Sequence, residues 1–316
     1  MRPERSQDRP NGQNQLAQNG RRILFGIIAV VLLITGVFLS GCGKKSEPAT
    51  ENTQPSGDEL QVHVLDVGQG DSILIIAPGG KSVLVDAGVP GSGKIVLDAM
   101  KRYNVDHIDL MVATHAHADH IGGADEVLLH TKVSAVLDSK VPNSTKNYED
   151  FLAAIDKTGA KYIAASPGQK FELGGGATLT ALAPIQPFFT KDQLRSGANI
   201  KAKVLKVGHH GSRYASSENF LKQGGFEAAV ISDGADNRYG HPSQDTLDRF
   251  KSMGMKLYRT DLEGEITILT RGHGYEIKTE RAASGDLWAG RTPPGREERA
   301  DDETATRPSR RAAGGR

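Results

Sequence analysis

Apolar and polar residues follow two alternating patterns between Leu60 and Lys278. Short apolar runs bounded by turn residues are typical of strands and occur at 60–67, 71–77, 82–88, 108–114, 161–165, 177–184, 227–234, 256–261, 264–270 and 274–279, and a further strand runs from 201 into a polar loop. Apolar positions at helical spacing predict helices at 94–103, 148–158, 218–223 and 244–253. Strands and helices that alternate in one long unit predict a layered α/β sandwich.

The N-terminal region has a different pattern. Arg21 and Arg22 precede an almost unbroken apolar run at 23–39. A basic segment, an apolar segment and small residues in this order predict an export signal over residues 1–42. The segment LSGC at 39–42 resembles the lipobox of bacterial lipoproteins, which implies that Cys42 carries a lipid and anchors the chain at the outer face of the bacterial cell membrane. A run of about 17 apolar residues can also span a bilayer, so an uncleaved transmembrane anchor is the alternative.

Composition limits the chemistry that the chain can carry. Cys42 is the only cysteine, so the chain has neither an internal disulfide nor a thiolate metal site. Any metal ion must therefore be bound by His, Asp or Glu. The formal net charge of +1 gives no general attraction to a polyanion, and a nucleic-acid site would need a local basic patch. Aromatic residues make up 5% of the chain, and no stacking platform for single-stranded nucleic acid is visible in the sequence.

Two polar segments flank the predicted domain at 59–280. Residues 43–58 contain Pro, Ser and Gly among charged residues, which predicts a disordered tether. Residues 281–316 have almost no apolar side chains and mixed charge, which predicts a disordered tail that includes Trp288.

The segment ATHAHADHIGG at 113–123 places four metal-ligand residue types in six positions: His115, His117, Asp119 and His120. A single histidine beside an apolar strand is ordinarily structural. Four such groups packed this closely would be unpaired or desolvated unless a cation gathers them. His115 and His117 can reach one metal from an extended loop, and the other two residues can reach a second. The spacing therefore predicts a site for one or two metal ions.

This segment matches the HxHxDH signature of metallo-β-lactamase-fold hydrolases. Segments at 65–72, 85–88, 206–212 and 237–242 resemble the ComEC-like branch, which includes the extracellular hydrolase domain of bacterial competence (DNA-uptake) channels. The resemblance covers about Leu60 to Lys278. It implies a four-layer αββα sandwich and a hydrolase that uses two divalent metal ions, zinc or alternatively manganese.

The resemblance also implies roles for the residues of the segment. His115 and His117 would hold the first metal, and Asp119 and His120 the second, with Asp119 also orienting the attacking hydroxide. His241 would be a further ligand.

Three other positions keep two interpretations each. Asp86 resembles the buried aspartate that braces the metal loop from behind, or it caps the turn before Gly88. His209 and His210 are an additional ligand or donors to the leaving-group oxygen, and we expect only one of them to enter the site because adjacent residues of an extended chain face opposite ways. Asp66, Gln69 and Asp71 shape the rim of the site or, as we favour, form the tight turn between two strands.

One part of the family pattern is not found. The resemblance implies a Gly-Asp whose carboxylate bridges the two metals, but between residues 182 and 209 the only acid is Asp192, with no strand-like run before it. We expect an internal deletion that leaves the sandwich incomplete around 183–200, with unpaired strand edges and a weakly bound second metal. Asp233 is the one alternative for the bridging acid.

The functional hypothesis is hydrolysis of a phosphodiester, with DNA as one candidate. It rests on the resemblance and on the basic residues near the His209-His210 pair, which are Lys201, Lys203, Lys206 and Arg213. Because these lysines alternate with apolar residues, a half-solvated strand explains them equally well. The alternatives are an esterase or lactonase for small molecules, and a catalytically impaired relic that acts as a binding or accessory protein.

Overall fold

The computed structural model describes residues 31–32, 57–141, 143–184 and 199–292. The predicted signal peptide, the lipid on Cys42 and the tether lie outside these residues, apart from two short pieces at 31–32 and 57–58. Asp192 and most of the region where the sandwich is expected to be incomplete also lie outside them. No helix within the described ranges has both the length and the apolar character needed to cross a membrane.

The strands are β1 Val31–Leu32, β2 Leu60–Val64, β3 Ser72–Ile76, β4 Ser82–Ala87, β5 His107–Ile108, β6 Leu110–Ala113, β7 Lys132–Val133, β8 Ala135–Asp138, β9 Lys161–Ala164, β10 Lys170–Gly174, β11 Ala177–Thr180, β12 Val204–Lys206, β13 Ala228–Ile231, β14 Lys256–Arg259, β15 Ile266–Thr270 and β16 Glu276–Thr279. The helices are α1 Gly93–Arg102, α2 Ala118–Ile121, α3 Ala124–His130, α4 Lys146–Thr158, α5 Glu218–Gly224, α6 Gln244–Ser252 and α7 Thr260–Glu263, with a 3₁₀ helix at Gly208–Gly211.

The larger sheet has eight strands in the order β16-β15-β2-β3-β4-β6-β8-β9. The pairs from β16 to β4 are antiparallel, and those from β4 to β9 are parallel. The smaller sheet has the order β1-β12-β13-β14, in which β12, β13 and β14 are parallel and β1 runs antiparallel to β12. Parallel strands buried on both faces read as continuous apolar runs, which explains the unbroken sequences of β6, β8 and β13.

Three apolar clusters place these elements in four layers. The first packs α1, α3 and α4 on the outer face of the larger sheet through residues such as Met100, Leu128 and Phe151. The second lies between the two sheets, where Val62 and Ile75 share a cluster with Val230. The third packs α5 and α6 on the outer face of the smaller sheet. The predicted αββα sandwich is confirmed.

The C-terminal boundary differs from the predicted one at residue 280. Residues 281–292, which we call the C-terminal strap, lie against the smaller sheet and α6 instead of forming part of a disordered tail. The guanidinium of the buried Arg259 donates to Asp261 and to the backbone carbonyls of Leu287 and Ala289. Trp288 packs against the third cluster. The strap has too few apolar residues to be recognised from composition. Leu287 and Trp288 are its only side chains in the third cluster, and backbone groups and Arg291 make the other contacts.

Candidate metal centre

The histidine-rich segments meet at one end of the sandwich. Parallel strands deliver their carboxyl ends to the same edge of a sheet, and β4, β6, β12 and β13 all end here. Asp86 stands near the end of β4, and the loop with His115 follows β6. His210 lies in the 3₁₀ helix after β12. Residues far apart in sequence are thereby brought into one site between the two sheets.

His120 is oriented by a carboxylate from the neighbouring strand. Its ring is buried, and Nδ1 lies 2.7 Å from Oδ2 of Asp86. Because an ionised carboxylate only accepts, Nδ1 carries the hydrogen and Nε2 is left free to bind a metal. Asp86 also accepts hydrogen bonds from the backbone N–H and the hydroxyl of Thr114, at 2.8 and 2.6 Å. Asp86 therefore braces the whole loop from behind.

His210 is oriented in the same way, but by the backbone. Nδ1 donates to the carbonyl oxygen of Ser232 at 2.9 Å, and Nε2 lies 3.1 Å from Oδ2 of Asp119. Nε2 of His120 lies 3.5 Å from the same oxygen. One ligand atom from each of Asp119, His120 and His210 lies within 4.8 Å of the other two. These three residues form the ligand group, and we use that name for them below.

The backbone at the His209-His210 pair is strained. Their φ angles are 50° and 52°, in the left-handed region that residues with a side chain seldom adopt. Two such residues in succession cost free energy that the surrounding structure must supply. The turn directs the two rings differently, because His210 is buried beside Asp119 whereas His209 is exposed. Of the two histidines, His210 enters the ligand group.

His115 and His117 lie beside the ligand group without belonging to it. Nε2 of His115 is 3.1 Å from Nδ1 of His117, and the rings of His115 and His120 have centroids 3.9 Å apart. Burial, together with the neighbouring His120, lowers the pKa of His115 to about 4. His115 is therefore neutral at pH 7, which is the form that binds a metal.

His209 and His241 form a second pair of neighbouring histidines. Their ring centroids are 5.5 Å apart, and Nδ1 of His241 is buried without a hydrogen-bond partner. Asn237 fixes the backbone of His241, since its side chain accepts from the His241 N–H at 3.1 Å and donates to the His241 carbonyl at 2.7 Å. His241 thus lies near the site, and its ring contacts His209 rather than the ligand group.

The charges within the ligand group support one another. Burial opposes ionisation of Asp119, but the adjacent rings of His210 and His120 outweigh it and lower the pKa of the carboxyl group. Burial likewise opposes protonation of His120, but Asp86 outweighs it and raises the pKa of the imidazole. The geometry therefore favours an anionic Asp119 beside two imidazoles.

Comparison with known proteins agrees with this arrangement. Residues 65–184 match the family model of the metallo-beta-lactamase superfamily. This part of the chain has the metallo-β-lactamase fold.

Curated relatives of the chain include a ComE operon protein, a competence protein and a recombination protein. The chain is 28% identical over 253 residues to ComE operon protein 3 of Bacillus subtilis, an alignment that covers 66% of this chain and 33% of the relative. It is 28% identical over 267 residues to competence protein ComA of Neisseria gonorrhoeae, covering 77% and 36%. Recombination protein 2 of Haemophilus influenzae is 26% identical over 264 residues, covering 75% and 32%. The chain spans about a third of the length of these relatives.

Solved structures include similar chains at low identity. The metallo-beta-lactamase fold protein YhfI from Bacillus subtilis is 14% identical, with a TM-score of 0.42, and the match covers 69% of this chain and 100% of that one.

The donor set of the site fits a divalent metal ion. Two imidazole nitrogens and one carboxylate oxygen converge, and these are ligands that Zn²⁺ and Mn²⁺ accept. The tautomers of His120 and His210 are set so that Nε2 is available. The buried, unpartnered Nδ1 of His241 is a further atom suited to a ligand.

Asp71 is a site residue whose place we did not predict. The favoured interpretation put it in the tight turn between two strands, and it does lie between β2 and β3, but it is also buried among His120, His210 and Lys206. Lys206 is 4% exposed and paired with Asp71, so it does not lie on a half-solvated strand and cannot reach a polyanion. The signal in the sequence was a charged residue at one end of each of two apolar strands, Asp71 before β3 and Lys206 at the end of β12.

Asp233 does not replace the bridging acid. Its carboxylate accepts from the N–H of Gly234 and from the side chain of Asn237. Asp233 belongs neither to the ligand group nor to the other cluster of possible ligands among the described residues, which is Asp71, Asp86 and His120. Burial, together with the neighbouring Asp261, raises the pKa of Asp233 to about 8. A carboxyl group that is protonated at neutral pH is a poor metal ligand.

Two exposed tyrosines lie in the loops that carry His210 and His241, and we call these loops the rim of the site. Tyr214 is 90% exposed and Tyr239 is 61% exposed, and each follows an exposed arginine, Arg213 or Arg238. The ring of Tyr239 lies 6.1 Å from that of His241 at an interplanar angle of 25°. The sequence indicated no stacking platform because these residues are isolated in it, but both loops lead to the histidines of the site.

Proposed function

We propose that the chain is a metal-dependent hydrolase of phosphodiesters that acts outside the bacterial cell, with DNA as a candidate substrate. The observation that carries this proposal is the convergence of Asp119, His120 and His210 on one point, with both imidazoles held in the metal-binding tautomer. The match of residues 65–184 to the metallo-beta-lactamase superfamily supports it, as do the competence proteins among the relatives.

The ligand group would hold one divalent ion, and His115 and His117 are the neighbouring pair for a second. Zn²⁺ or Mn²⁺ in such a site supplies Lewis acidity to water and to a phosphoryl oxygen. The carboxylate of Asp119 accepts a hydrogen bond from the attacking water and thereby orients this water. The exposed ring of His209 lies on the open side, where its N–H can donate to the leaving-group oxygen.

The rim favours an anionic substrate that also carries a planar ring. Arg213 and Arg238 are exposed and adjacent in the chain to Tyr214 and Tyr239, and Nε of Arg213 lies 3.7 Å from the exposed carboxylate of Asp245. A guanidinium binds phosphate, and a phenol ring stacks on a base. Lys206, which we expected to contribute, is buried and takes no part. The two arginine-tyrosine pairs therefore support a nucleotide-like phosphodiester over a small uncharged ester.

The proposal includes a lipid anchor on Cys42 at the outer face of the cell membrane. It rests on the basic, apolar and small-residue segments at 21–42 alone. Mass spectrometry of the full chain from a bacterial host tests it, because acylation adds the mass of the lipid to a fragment that begins at Cys42. An unmodified fragment that still contains residues 1–41 would favour the transmembrane anchor.

A catalytically impaired accessory protein is the second candidate. No carboxylate of the described residues joins the ligand group to His115 and His117, so the second metal lacks a bridging acid there. The experiment that separates the candidates is metal stoichiometry together with turnover by the full chain. Two equivalents of zinc or manganese and hydrolysis of bis-p-nitrophenyl phosphate support the hydrolase. Binding of no metal supports the accessory protein.

Substrate class is tested with the same protein. We expect faster turnover of bis-p-nitrophenyl phosphate than of p-nitrophenyl acetate or homoserine lactones. Preference for the last two would favour the esterase or lactonase. The double variant His115→Ala with His117→Ala is the control, and unchanged turnover in this variant would show that the activity does not come from this site.

A further inference from the structure

A buried ion pair joins the two sheets beneath the ligand group. Lys206 is the last residue of β12 in the smaller sheet, and its ammonium lies 2.5 Å from Oδ2 of Asp71 and 3.0 Å from the carbonyl of Val207. Asp71 precedes β3 in the larger sheet. Both side chains are almost fully buried, and a buried ammonium is stable only beside an anion. The pair therefore holds the two sheets together directly behind the site.

Asp71 contacts all three residues of the ligand group. Its backbone N–H donates to the carbonyl of Asp119 at 3.0 Å. Its carboxylate oxygens lie 3.6 Å from Nδ1 of His210 and 3.9 Å from Nδ1 of His120. The carboxylate is therefore behind both rings, on the side opposite to the Nε2 atoms that approach Asp119.

The approach of the Asp71 loop to Asp119 is close. A Cβ atom on the preceding Gly70 would lie 2.6 Å from the carbonyl oxygen of Asp119, so only glycine fits there. Backbone contact of this kind fixes the distance between the carboxylate of Asp71 and the two rings.

One oxygen of Asp71 has no partner of its own. Oδ1 is buried without a hydrogen bond, although an unsatisfied buried carboxylate oxygen is costly. Lys206 occupies Oδ2, so the carboxylate cannot turn to satisfy both oxygens. The free oxygen is the one that faces His210.

A carboxylate behind a metal-binding imidazole orients the ring and makes it a stronger ligand. Asp86 does this for His120 alone, and a neutral carbonyl serves His210. Among the described residues, Asp71 is the one group that lies behind both rings. We propose that Asp71, held in place by Lys206, is a positioning residue that aligns His120 and His210 for metal binding. This inference rests on the proposed function, because it assumes that the ligand group binds a metal.

The test uses the full chain titrated with Co²⁺, whose absorption bands report ligand geometry, and with Zn²⁺ in competition with a chelator. Asp71→Asn keeps the shape of the side chain and removes its charge. We expect it to bind metal about 10- to 100-fold more weakly, with shifted Co²⁺ bands. Lys206→Met leaves the carboxylate without its anchor and is expected to change the same two readouts.

Glu265→Gln is the matched control. Glu265 is a buried acid whose partners are His63, Tyr103 and Arg102, none of which belongs to the site. Its loss lowers stability, but the metal affinity of the folded protein is expected to stay within about twofold of wild type because distant sites act independently. A merely structural role for Asp71 would give the same result in Asp71→Asn.

Three outcomes overturn the inference. The first is wild-type metal affinity and unchanged Co²⁺ bands in Asp71→Asn. The second is an equal loss of affinity in Glu265→Gln. If the single variants do not fold, the double variant Asp71→Asn with Lys206→Met is measured instead, because it has no uncompensated buried charge. The third outcome is wild-type metal affinity of this double variant, or its failure to fold. A wild-type chain that binds Co²⁺ but cleaves no phosphodiester contradicts only the proposed substrate.

Discussion

The two halves of the site are built differently. The first half, residues 115–120, is a contiguous segment after one strand, braced by the side chain of Asp86. The second half combines the 3₁₀ helix at 208–211 with His241, and it is held by the carbonyl of Ser232 and the side chain of Asn237. The first half is therefore braced mainly by carboxylate side chains, above all that of Asp86. The other depends on several segments whose backbone groups must be packed together.

Of the two halves of the site, the C-terminal strap contacts only the second. The N–H of Arg291 donates to the carbonyl of Pro242 at 3.0 Å, and the side chain of Gln244 contacts the backbone of Trp288 and Gly290. These contacts fix the turn that follows His241. The comparison teaches that point substitutions should disable the first half, whereas the second half should respond to changes far away in sequence.

The largest expected effect separates two adjacent histidines of the second half. His210→Ala removes a member of the ligand group and should lower metal affinity and turnover at least about 100-fold. His209→Ala removes an exposed ring outside this group and should lower metal affinity less than about 10-fold. Chelator competition and turnover measure both. Equal losses of metal affinity in the two variants would show that the site uses the histidines differently from the geometry described.

The next effect tests how far the first half depends on one carboxylate. Asp86→Ala removes the acceptor for His120 and for two groups of Thr114. Metal affinity is expected to fall about 10- to 100-fold, as for other groups that orient a metal-binding histidine. Isothermal titration with Zn²⁺ measures it. Asp233→Asn is not expected to change this affinity, because Asp233 lies outside the ligand group.

A smaller effect is expected when the strap is weakened. Trp288→Ala removes a partly buried ring from the third apolar cluster, which should lower the free energy of unfolding by about 1–2 kcal/mol. Metal affinity should fall only a few-fold, through the turn after His241. Urea unfolding and metal titration measure the two. Full stability in this variant would contradict the role given to the strap.

The last expected effect is a gain in the free energy of unfolding rather than a loss. Burial raises the pKa of Asp233 to about 8, so the folded chain keeps a proton that the unfolded chain releases above about pH 4, and stability falls as pH rises between these values. Asp233→Asn should therefore stabilise the protein at pH 8 and lose this advantage toward pH 4. The new amide faces the amide of Asn237, which offsets part of the gain and leaves about 1–2 kcal/mol.

Thermal unfolding of Asp233→Asn and wild type at pH 4, 6 and 8 measures this prediction. A difference that does not change with pH would show that Asp233 is ionised in the folded chain.

Elements with a strong local pattern could be predicted. The helix at Lys146–Thr158 ends at Gly159, and the strand at Ala228–Ile231 is a continuous apolar run, and both lie where expected. Helix α3 and strand β8 were not predicted. They are short, and their apolar residues acquire a recognisable face only when packed on α1, α4 and β6.

The sequence by itself determined the first half of the site and the class of the fold. His115, His117, Asp119 and His120 lie within six positions, and local spacing is enough to mark them. Only the tertiary structure decided which of His209 and His210 faces Asp119, that Asp71 and Lys206 lie beneath both histidines, and that residues 281–292 pack on the domain. The physical reason is that these contacts join groups separated by many residues, through backbone carbonyls and buried charges that leave no periodic pattern in the chain.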